Sequence, residues 1–287
     1  MSLSTALGAL LFFAAAVMPP QTSPTNPMAE PKARFWTSAE YRIVPVRVHL
    51  MRDTITPAAG TTLSIADIAR IFGKANGIWH AAGVELRIES VLEEKPAALG
   101  EYEHQGVLPI VALPALRPAD TRPEGMFHVY YIGAMPPNGI FMRSVGIFVK
   151  ESAELHKVPG GIDEPLPRVS AHELGHGMGL PHRQDTTNLM ASGTTGTSLN
   201  AAEIESVRRT LSQLKWVETP ETCRKNADAL LSAGKKEEAL SRYRALLDLP
   251  GDRKATAELA SKIQAAVGKD GNGAAGLKKG RRPDARP

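Results

Sequence analysis

The most informative stretch of this chain is His172-Glu173-Leu174-Gly175-His176-Gly177-Met178-Gly179-Leu180-Pro181-His182, which has the form HExxHxxGxxH. His172 and His176 are four residues apart, so on a helix with 3.6 residues per turn they lie on one face, one turn apart. Two imidazoles so placed can reach one metal ion, and Glu173 lies beside that ion without having to bind it. The spacing therefore predicts a helix that carries two metal ligands and a base.

The helix itself is predicted from the residues around these three. Pro167 suits the first turn of a helix, and residues 168–178 contain no further proline, although their glycines lower the helix propensity. Gly179 can adopt the left-handed conformation that ends a helix and turns the chain. The turned chain can then bring His182 back as a third ligand. A surface helix with incidental histidines would not account for Gly179 or His182.

Three protein ligands leave one zinc position open for water, which is the arrangement of a catalytic site and not of a closed structural one. We therefore predict one catalytic Zn²⁺ bound by His172, His176 and His182. Zinc lowers the pKa of bound water to about 7, and Glu173 would take the proton as general base and pass it to the leaving amine. The only cysteine, Cys223, lies far along the chain and is predicted to be a buried or incidental thiol.

This segment resembles the motif of the metzincin clan of zinc endopeptidases, and the match covers about residues 168–214. The matching residues are His172, Glu173, His176, Gly179, His182 and Met190. The resemblance implies that Met190 is the Met-turn residue, an apolar floor beneath the metal that does not bind it. It also implies an α+β catalytic domain, in which a twisted mixed sheet is combined with an active-site helix and a C-terminal helix.

The residue after the third histidine separates families within the clan. It is Arg183 here, where astacins carry Glu, adamalysins Asp and matrixins Ser. The Met-turn also lacks the tyrosine that serves astacins as an extra ligand. The sequence around Pro181 and Met190 is instead similar to that of bacterial matrixin-like proteases.

The hydropathy pattern predicts further elements in a catalytic domain spanning residues 41–217. Strands are predicted over 43–50, 84–92, 127–132 and 144–149, and helices over 65–82 and 201–214. Pro45 favours an edge or early position for the first strand. The alternation in 84–92 predicts a half-buried strand. Fold-level analogy places the substrate as an added strand near residues 138–145.

The N-terminus predicts export, to a secreted or periplasmic location. The apolar run Ala6–Met18 is too short for a membrane span, which needs about 20 residues, but it has the length of a signal-peptide core. We predict a signal peptide at 1–20 and a linker at 21–40. No Lys or Arg precedes the apolar run, so an uncleaved N-terminal anchor is the alternative.

The C-terminal part has a helical pattern over residues 220–267, predicted to be a small all-α appendage. Gly234, Ala239 and Tyr243 are spaced as in one tetratricopeptide repeat. A single repeat cannot bury a continuous core, so we predict helices packed on the catalytic domain. A docking module for a partner or substrate is the alternative.

The charge is concentrated in a predicted disordered tail, residues 268–287, which carries six Lys/Arg and two Asp. The tail thus accounts for the whole net charge of +4, so nucleic-acid binding by the folded body is not indicated. The tail is predicted to be a solvated terminus, with weak contact to an anionic surface as the alternative.

Five other histidines, His49, His80, His104, His128 and His156, show no ligand spacing to one another. They are expected on the surface or as satisfied core residues, and no second metal is assigned. The function predicted from the sequence is therefore an exported zinc endopeptidase acting on proteins or peptides. The alternatives are a metzincin-fold binding module with structural zinc, or a narrow amidase acting on cell-wall peptides. The retained Glu173 argues against the binding module.

Overall fold

The computed structural model describes residues 35–250 and 253–268. The predicted signal peptide, most of the linker and nearly all of the basic tail lie outside the described residues. Among the helices that the structure describes, none is long and apolar enough to span a membrane.

A five-stranded mixed sheet forms the centre of the α+β fold, with strand order β2-β1-β3-β5-β4. The strands are β1 Arg42–Met51, β2 Val84–Glu94, β3 Phe127–Ile132, β4 Gly139–Met142 and β5 Gly146–Lys150. Strands β2, β1, β3 and β5 are parallel, whereas β4 runs antiparallel to β5 and lies at the edge of the sheet. One side of β4 therefore has no strand partner within the described part of the chain.

Within the described residues, six α-helices and four 3₁₀ helices surround or follow the sheet. The α-helices are α1 Ile65–Trp79, α2 Pro165–Gly177, α3 Ala201–Gln213, α4 Pro220–Ser232, α5 Lys236–Leu247 and α6 Arg253–Gly268. The 3₁₀ helices are Ser38–Glu40, His80–Ala82, Gly100–Tyr102 and Ile110–Leu116. The α+β class predicted from the sequence is confirmed.

Helix α1 forms because its sequence combines a cap with a regular apolar face. The Ser64 side chain accepts from the Asp67 N–H, and the Asp67 carboxylate accepts from the Ser64 N–H, which is a capping box. Phe72 and Trp79 face the sheet and are fully buried, each contributing roughly 1.5–3 kcal/mol of hydrophobic stabilisation. The predicted single helix over 65–82 is instead α1 followed by a 3₁₀ turn, which ends at Gly83 in the left-handed conformation.

Of the two positions predicted from Pro45, the edge position of the first strand is wrong, and the early position of Pro45 in its strand is confirmed. Strand β1 pairs with β2 on one side and with β3 on the other. Pro45 is tolerated because the pairing with β3 begins only at Val46, so no N–H is needed at Pro45 on that side.

The half-buried alternation expected for β2 is also wrong at its polar positions. Glu85 and Arg87 are 1% and 4% exposed. The Glu85 carboxylate accepts from Asn76 Nδ2 at 2.6 Å and contacts His80 Nε2 at 2.7 Å. Arg87 lies 3.5 Å from the Glu218 carboxylate. The polar face is buried because other parts of the chain cover it.

The segment before β5 forms a turn where a strand start was expected. Ser144 has a φ of 62°, and the Val145 N–H donates to the Met142 carbonyl at 3.0 Å. Strand β5 therefore starts at Gly146, two residues later than predicted, and β4 with β5 forms a hairpin.

Helices α4 to α6 share a hydrophobic cluster with Trp36, Tyr41 and Ile43. The backbones of Ile43 and Glu218 exchange two hydrogen bonds, of 2.8 and 3.0 Å. Cys223 is buried in this cluster, as expected, and burial raises the pKa of its thiol to about 12. The division into a catalytic domain and an appendage stays a prediction, because these helices share a core with the start of β1.

Candidate metal centre

The end of helix α2 is set by the conformation of Gly179. This residue has a φ of +92°, which only glycine adopts readily. The Leu180 N–H donates to the Gly175 carbonyl at 2.9 Å and the Gly179 N–H donates to the His176 carbonyl at 3.0 Å. This pair of bonds is the Schellman motif, and it reverses the chain so that His182 returns to the helix.

The structure brings the three predicted ligands together. His176 Nε2 lies 3.1 Å from His172 Nε2 and 3.1 Å from His182 Nε2. In the described part of the chain, these three histidines form the only cluster able to hold a metal ion. His172 is buried, whereas His182 is exposed, so the cluster opens to solvent on one side.

Backbone carbonyls fix the tautomers of two of these rings. The His172 Nδ1–H donates to the Leu189 carbonyl at 2.8 Å, and the His176 Nδ1–H donates to the Leu180 carbonyl at 2.7 Å. Each ring therefore has its Nε2 lone pair directed at the other histidines. Burial lowers the pKa of His172 to about 3 and also lowers that of His176, so both rings are neutral at pH 7, as metal ligands must be.

The nitrogen separations fit a zinc ion. Tetrahedral ligands with Zn–N bonds of about 2.0–2.1 Å lie roughly 3.3 Å apart, close to the observed 3.1 Å. Neutral Nε2 atoms that face one another at this distance repel unless a cation lies among them. Three histidine ligands would leave a fourth position for water.

Glu173 lies beside the cluster and is 6% exposed. Burial raises the pKa of its carboxyl to about 7, while a hydrogen bond from the Phe141 backbone and the Arg168 guanidinium act in the opposite direction. A cation held by the histidines would lower this pKa further, because opposite charge favours the carboxylate. Glu173 is therefore positioned and tuned to exchange a proton.

Gly139 of the edge strand allows β4 to approach Glu173 closely. A Cβ atom at this position would lie 2.7 Å from Glu173 Cγ, 2.8 Å from its Oε1 and 2.6 Å from Val169 Cγ1. Any larger residue would push β4 away from α2. Gly139 was not predicted as a site residue, and the Asn138-Gly139 pair, which is typical of a turn, is the only local feature that marks it in the sequence.

Met190 packs beneath α2 because Gly175 leaves room for it. A Cβ atom at Gly175 would lie 2.7 Å from Met190 Sδ and 3.2 Å from its Cε. Met190 is fully buried and belongs to the main core cluster. Met190 therefore lies directly against the helix that carries His172 and His176.

Arg168 is a buried cation that joins α2 to the loop containing Met190. It is 1% exposed, and its guanidinium donates to the carbonyls of Gly196, Asn188 and Ala191. Its Nη1 lies 3.3 Å from His172 Nδ1. Arg168 therefore fixes the loop against the helix immediately behind the first ligand.

Glu203 is a second buried group that supports the site from outside. One carboxylate oxygen accepts from Arg183 Nε at 2.7 Å, and the other accepts from Asn188 Nδ2 at 2.8 Å and from the Asn200 N–H at 2.8 Å. Asn188 Oδ1 in turn accepts from the Met190 N–H at 2.7 Å. Glu203 thus connects the turn that contains Met190 to Arg183, the residue after His182.

The cluster opens into a cleft of about 480 Å³. The cleft is lined by Gly139, Ile140, Phe141, Arg143, Glu173, His176, Gly179, Leu180, Pro181 and His182. Edge strand β4 thus forms one wall, and the metal helix with its C-terminal turn forms the other. A peptide added to the free edge of β4 would pass beside Glu173 and the histidines.

Comparisons with known proteins give only distant similarity. No protein-family model and no curated protein sequence matches the chain. Among solved structures, an archaemetzincin from Methanopyrus kandleri is 16% identical with a TM-score of 0.40, covering 59% of this chain and 96% of its own. A zinc-dependent peptidase from Methanocorpusculum labreanum is 12% identical with a TM-score of 0.31, covering 58% and 99%. Similarity this low transfers neither fold nor activity, so the functional assignment depends on the site itself.

Proposed function

We propose that this chain is a zinc-dependent endopeptidase of the metzincin type. The observation that carries the proposal is the convergence of three histidine Nε2 atoms beside buried Glu173, in a cleft walled by an edge strand. His172, His176 and His182 would hold the ion. The motif, the turn at Gly179 and the packed Met190 together support the metzincin assignment over an incidental metal site.

The residues of the cleft have separate roles in the proposed reaction. A zinc ion bound there would lower the pKa of a water molecule to about 7 and polarise the scissile carbonyl. Glu173 would accept the proton of that water and then donate it to the leaving amine. Gly139 would keep the edge strand close enough for the substrate carbonyl to reach both groups, since proximity governs the rate of such steps.

The free edge of β4 supports cleavage within extended chains. An extended peptide can add to such an edge through backbone hydrogen bonds, which do not depend on the peptide's termini. Export of the protein and docking of a partner on the C-terminal helices are further parts of this proposal, and they are supported by the sequence patterns alone.

The test is cleavage of casein by the full chain and by Glu173→Gln, with zinc content determined for both. We expect one zinc per chain in both proteins and a loss of roughly 10²- to 10⁴-fold in rate for the variant, since that is what a general base contributes. Glu205→Gln, which changes an exposed glutamate of α3, serves as the matched control and should cleave like the wild type.

Undiminished cleavage by Glu173→Gln would reject the assigned base. Zinc in the wild type without cleavage of casein or of a peptide library would reject the endopeptidase and favour the binding module. Cleavage confined to cell-wall peptides would favour the narrow amidase.

A further inference from the structure

A second cavity, of about 430 Å³, lies next to the metal cleft. It is found at the end of the sheet where β4 ends and where β3 and β5 begin, and its wall includes Phe127, Met142 and Gly146. Phe141 lines both this cavity and the metal cleft. A strand added along β4 would therefore continue from one cavity into the other.

Arg117 provides the first cationic group of this cavity. It is half-buried, its Nη1 donates to the Val145 carbonyl at 2.6 Å, and its Nε donates to the Pro114 carbonyl at 3.2 Å. These bonds hold the guanidinium in place but leave its charge uncompensated. No carboxylate pairs with Arg117 among the residues that the structure describes.

Arg122 provides a second cationic group in the same wall. It is also half-buried, and its Nε donates to the Pro118 carbonyl at 2.7 Å. Its other guanidinium N–H groups have no acceptor in the described parts of the chain. Glu124, which also lines the cavity, is exposed and forms no ion pair with either arginine.

The neighbouring polar groups do not neutralise the charge of the two arginines. Arg117 and Arg122 both oppose the burial-raised pKa of the Tyr130 hydroxyl, and both contribute to the lowered pKa of His128. The rings of His128 and Tyr130 do not compensate the charge. The two His128 nitrogens are already bonded, to His49 and to the Pro123 carbonyl.

We infer that this cavity is a subsite for an acidic side chain of the peptide substrate, on the N-terminal side of the scissile bond. A guanidinium binds a carboxylate through two parallel hydrogen bonds, which makes arginine well suited to this role. The inference rests on the proposed peptidase function and adds a substrate preference to it.

The position of the acidic residue follows from the direction of β4. A peptide antiparallel to β4 has its N-terminal part beside Met142 and later residues beside Gly139, which contacts Glu173. At about 3.3 Å per residue, the three-residue step between these points spans roughly 10 Å. The acidic side chain is thus expected about two to four residues before the scissile bond.

The experiment uses the zinc-loaded full chain and pairs of synthetic peptides that share one cleavage sequence. The members of a pair differ only by Glu or Gln at the second, third or fourth residue before the scissile bond. We expect kcat/KM to be about tenfold higher for Glu at one of these positions, as one charged hydrogen bond is lost with Gln. The preference should weaken as salt is raised, since the site is partly exposed.

Arg122 gives the cleaner variant, because its side chain bonds only within its own loop. Arg122→Gln should lose the preference for Glu, so that the Glu and Gln peptides are cleaved with similar kcat/KM, and Arg122→Glu should prefer a Lys peptide over the Glu peptide. Arg209→Gln, which changes an exposed arginine of α3 that lines neither cavity, should keep the wild-type preference.

The outcomes separate this inference from the function on which it rests. Equal cleavage of Glu and Gln peptides at all three positions, or a preference unchanged in Arg122→Gln, would overturn the subsite and leave the peptidase intact. Absence of cleavage of every peptide and of casein would overturn the peptidase, and the subsite with it.

Discussion

The histidines of the metal centre and those of the sheet form two groups that each contain a buried and a half-buried ring, and the nitrogens of the two groups are bonded in opposite ways. At the metal centre, His172 and His176 use one nitrogen each for a backbone carbonyl, and His176 Nε2 lies beside the Nε2 atoms of both His172 and His182. On the sheet, His49 and His128 have all four of their nitrogens engaged with protein partners.

The second group is a continuous hydrogen-bonded chain. His49 Nδ1 lies 2.6 Å from Glu94 Oε2, and His49 Nε2 lies 2.9 Å from His128 Nδ1. The His128 Nε2–H donates to the Pro123 carbonyl at 2.9 Å. Each of these contacts occupies a ring nitrogen, so the arrangement leaves none of the four nitrogens for a metal ion.

Burial therefore does not distinguish a metal-binding histidine from a structural one. His49 is 0% exposed and His172 is 4% exposed. The difference is that the Nε2 atoms of His172 and His176 face each other without a hydrogen-bond donor between them, because each ring donates its Nδ1–H to a carbonyl. A carbonyl on one nitrogen and a second imidazole's lone pair opposite the other are what mark a metal-binding histidine here.

The largest expected effect comes from removing one ring from each group. His182→Ala should lose zinc and lower peptidase activity about a thousandfold, because several kcal/mol of transition-state stabilisation depend on the metal. His49→Asn should keep one zinc per chain and most of the activity. Metal analysis and casein cleavage of both variants check this prediction.

Retention of stoichiometric zinc by His182→Ala, or loss of zinc in His49→Asn, would show that the two groups do not differ as described. Thermal unfolding of both variants shows whether a loss reflects the site or the fold.

The next effect is a pH dependence of stability that originates in the sheet group. Burial lowers the pKa of His49 to about 4, below the ordinary value of about 6.5, so between these values the unfolded chain binds more protons than the folded one. The contribution of His49 to the free energy of unfolding is therefore complete above pH 6.5. It is lost as the pH falls toward 4, and the loss is at most about 3 kcal/mol.

Denaturant unfolding of metal-free wild type and metal-free His49→Asn between pH 4 and 7 measures this contribution. Chelation of both proteins removes metal release from the comparison, and His172 and His176 contribute equally to both. A slope that is the same in the two proteins would contradict the assignment to His49.

The smallest effect distinguishes the packing beneath the metal from packing elsewhere. Gly175→Ala should destabilise the protein by roughly 1–3 kcal/mol and weaken zinc binding, because the new Cβ would displace Met190. Gly77→Ala in α1 meets nothing within 4 Å and should stabilise the protein by up to about 1 kcal/mol. Thermal unfolding and zinc competition with a chelator measure both, and equal shifts in the two variants would refute the role of the close contact.

Much of the metal centre could be predicted from the sequence because its spacing is local. The i,i+4 pair His172 and His176 lies on one helix, and the turn at Gly179 returns His182 within six residues. The predicted start of α1 at residue 65 and the predicted bounds of strand β3 are confirmed for the same reason. Local hydrogen bonds and a regular apolar face do not depend on distant parts of the chain.

The features that the sequence predicted wrongly or not at all depend on contacts between distant segments. The polar face of β2 is buried because Asn76, His80 and Glu218 cover Glu85 and Arg87. The pairing of His49 with His128, 79 residues away, has no signal in either local sequence. The role of Gly139 depends on the packing of β4 against α2, which no local pattern around this glycine indicates.

The local sequence was therefore enough to predict the three converging imidazoles, the adjacent base and the turn that joins them, because one helix and one glycine suffice to build them. Only the tertiary structure decided that Gly139 brings an edge strand against Glu173, that Arg168 and Glu203 fix the loop beneath the site, and that two unpaired arginines lie at the end of that strand. These contacts depend on the order of strands in the sheet, and that order is set by packing across the whole core, which no local pattern encodes.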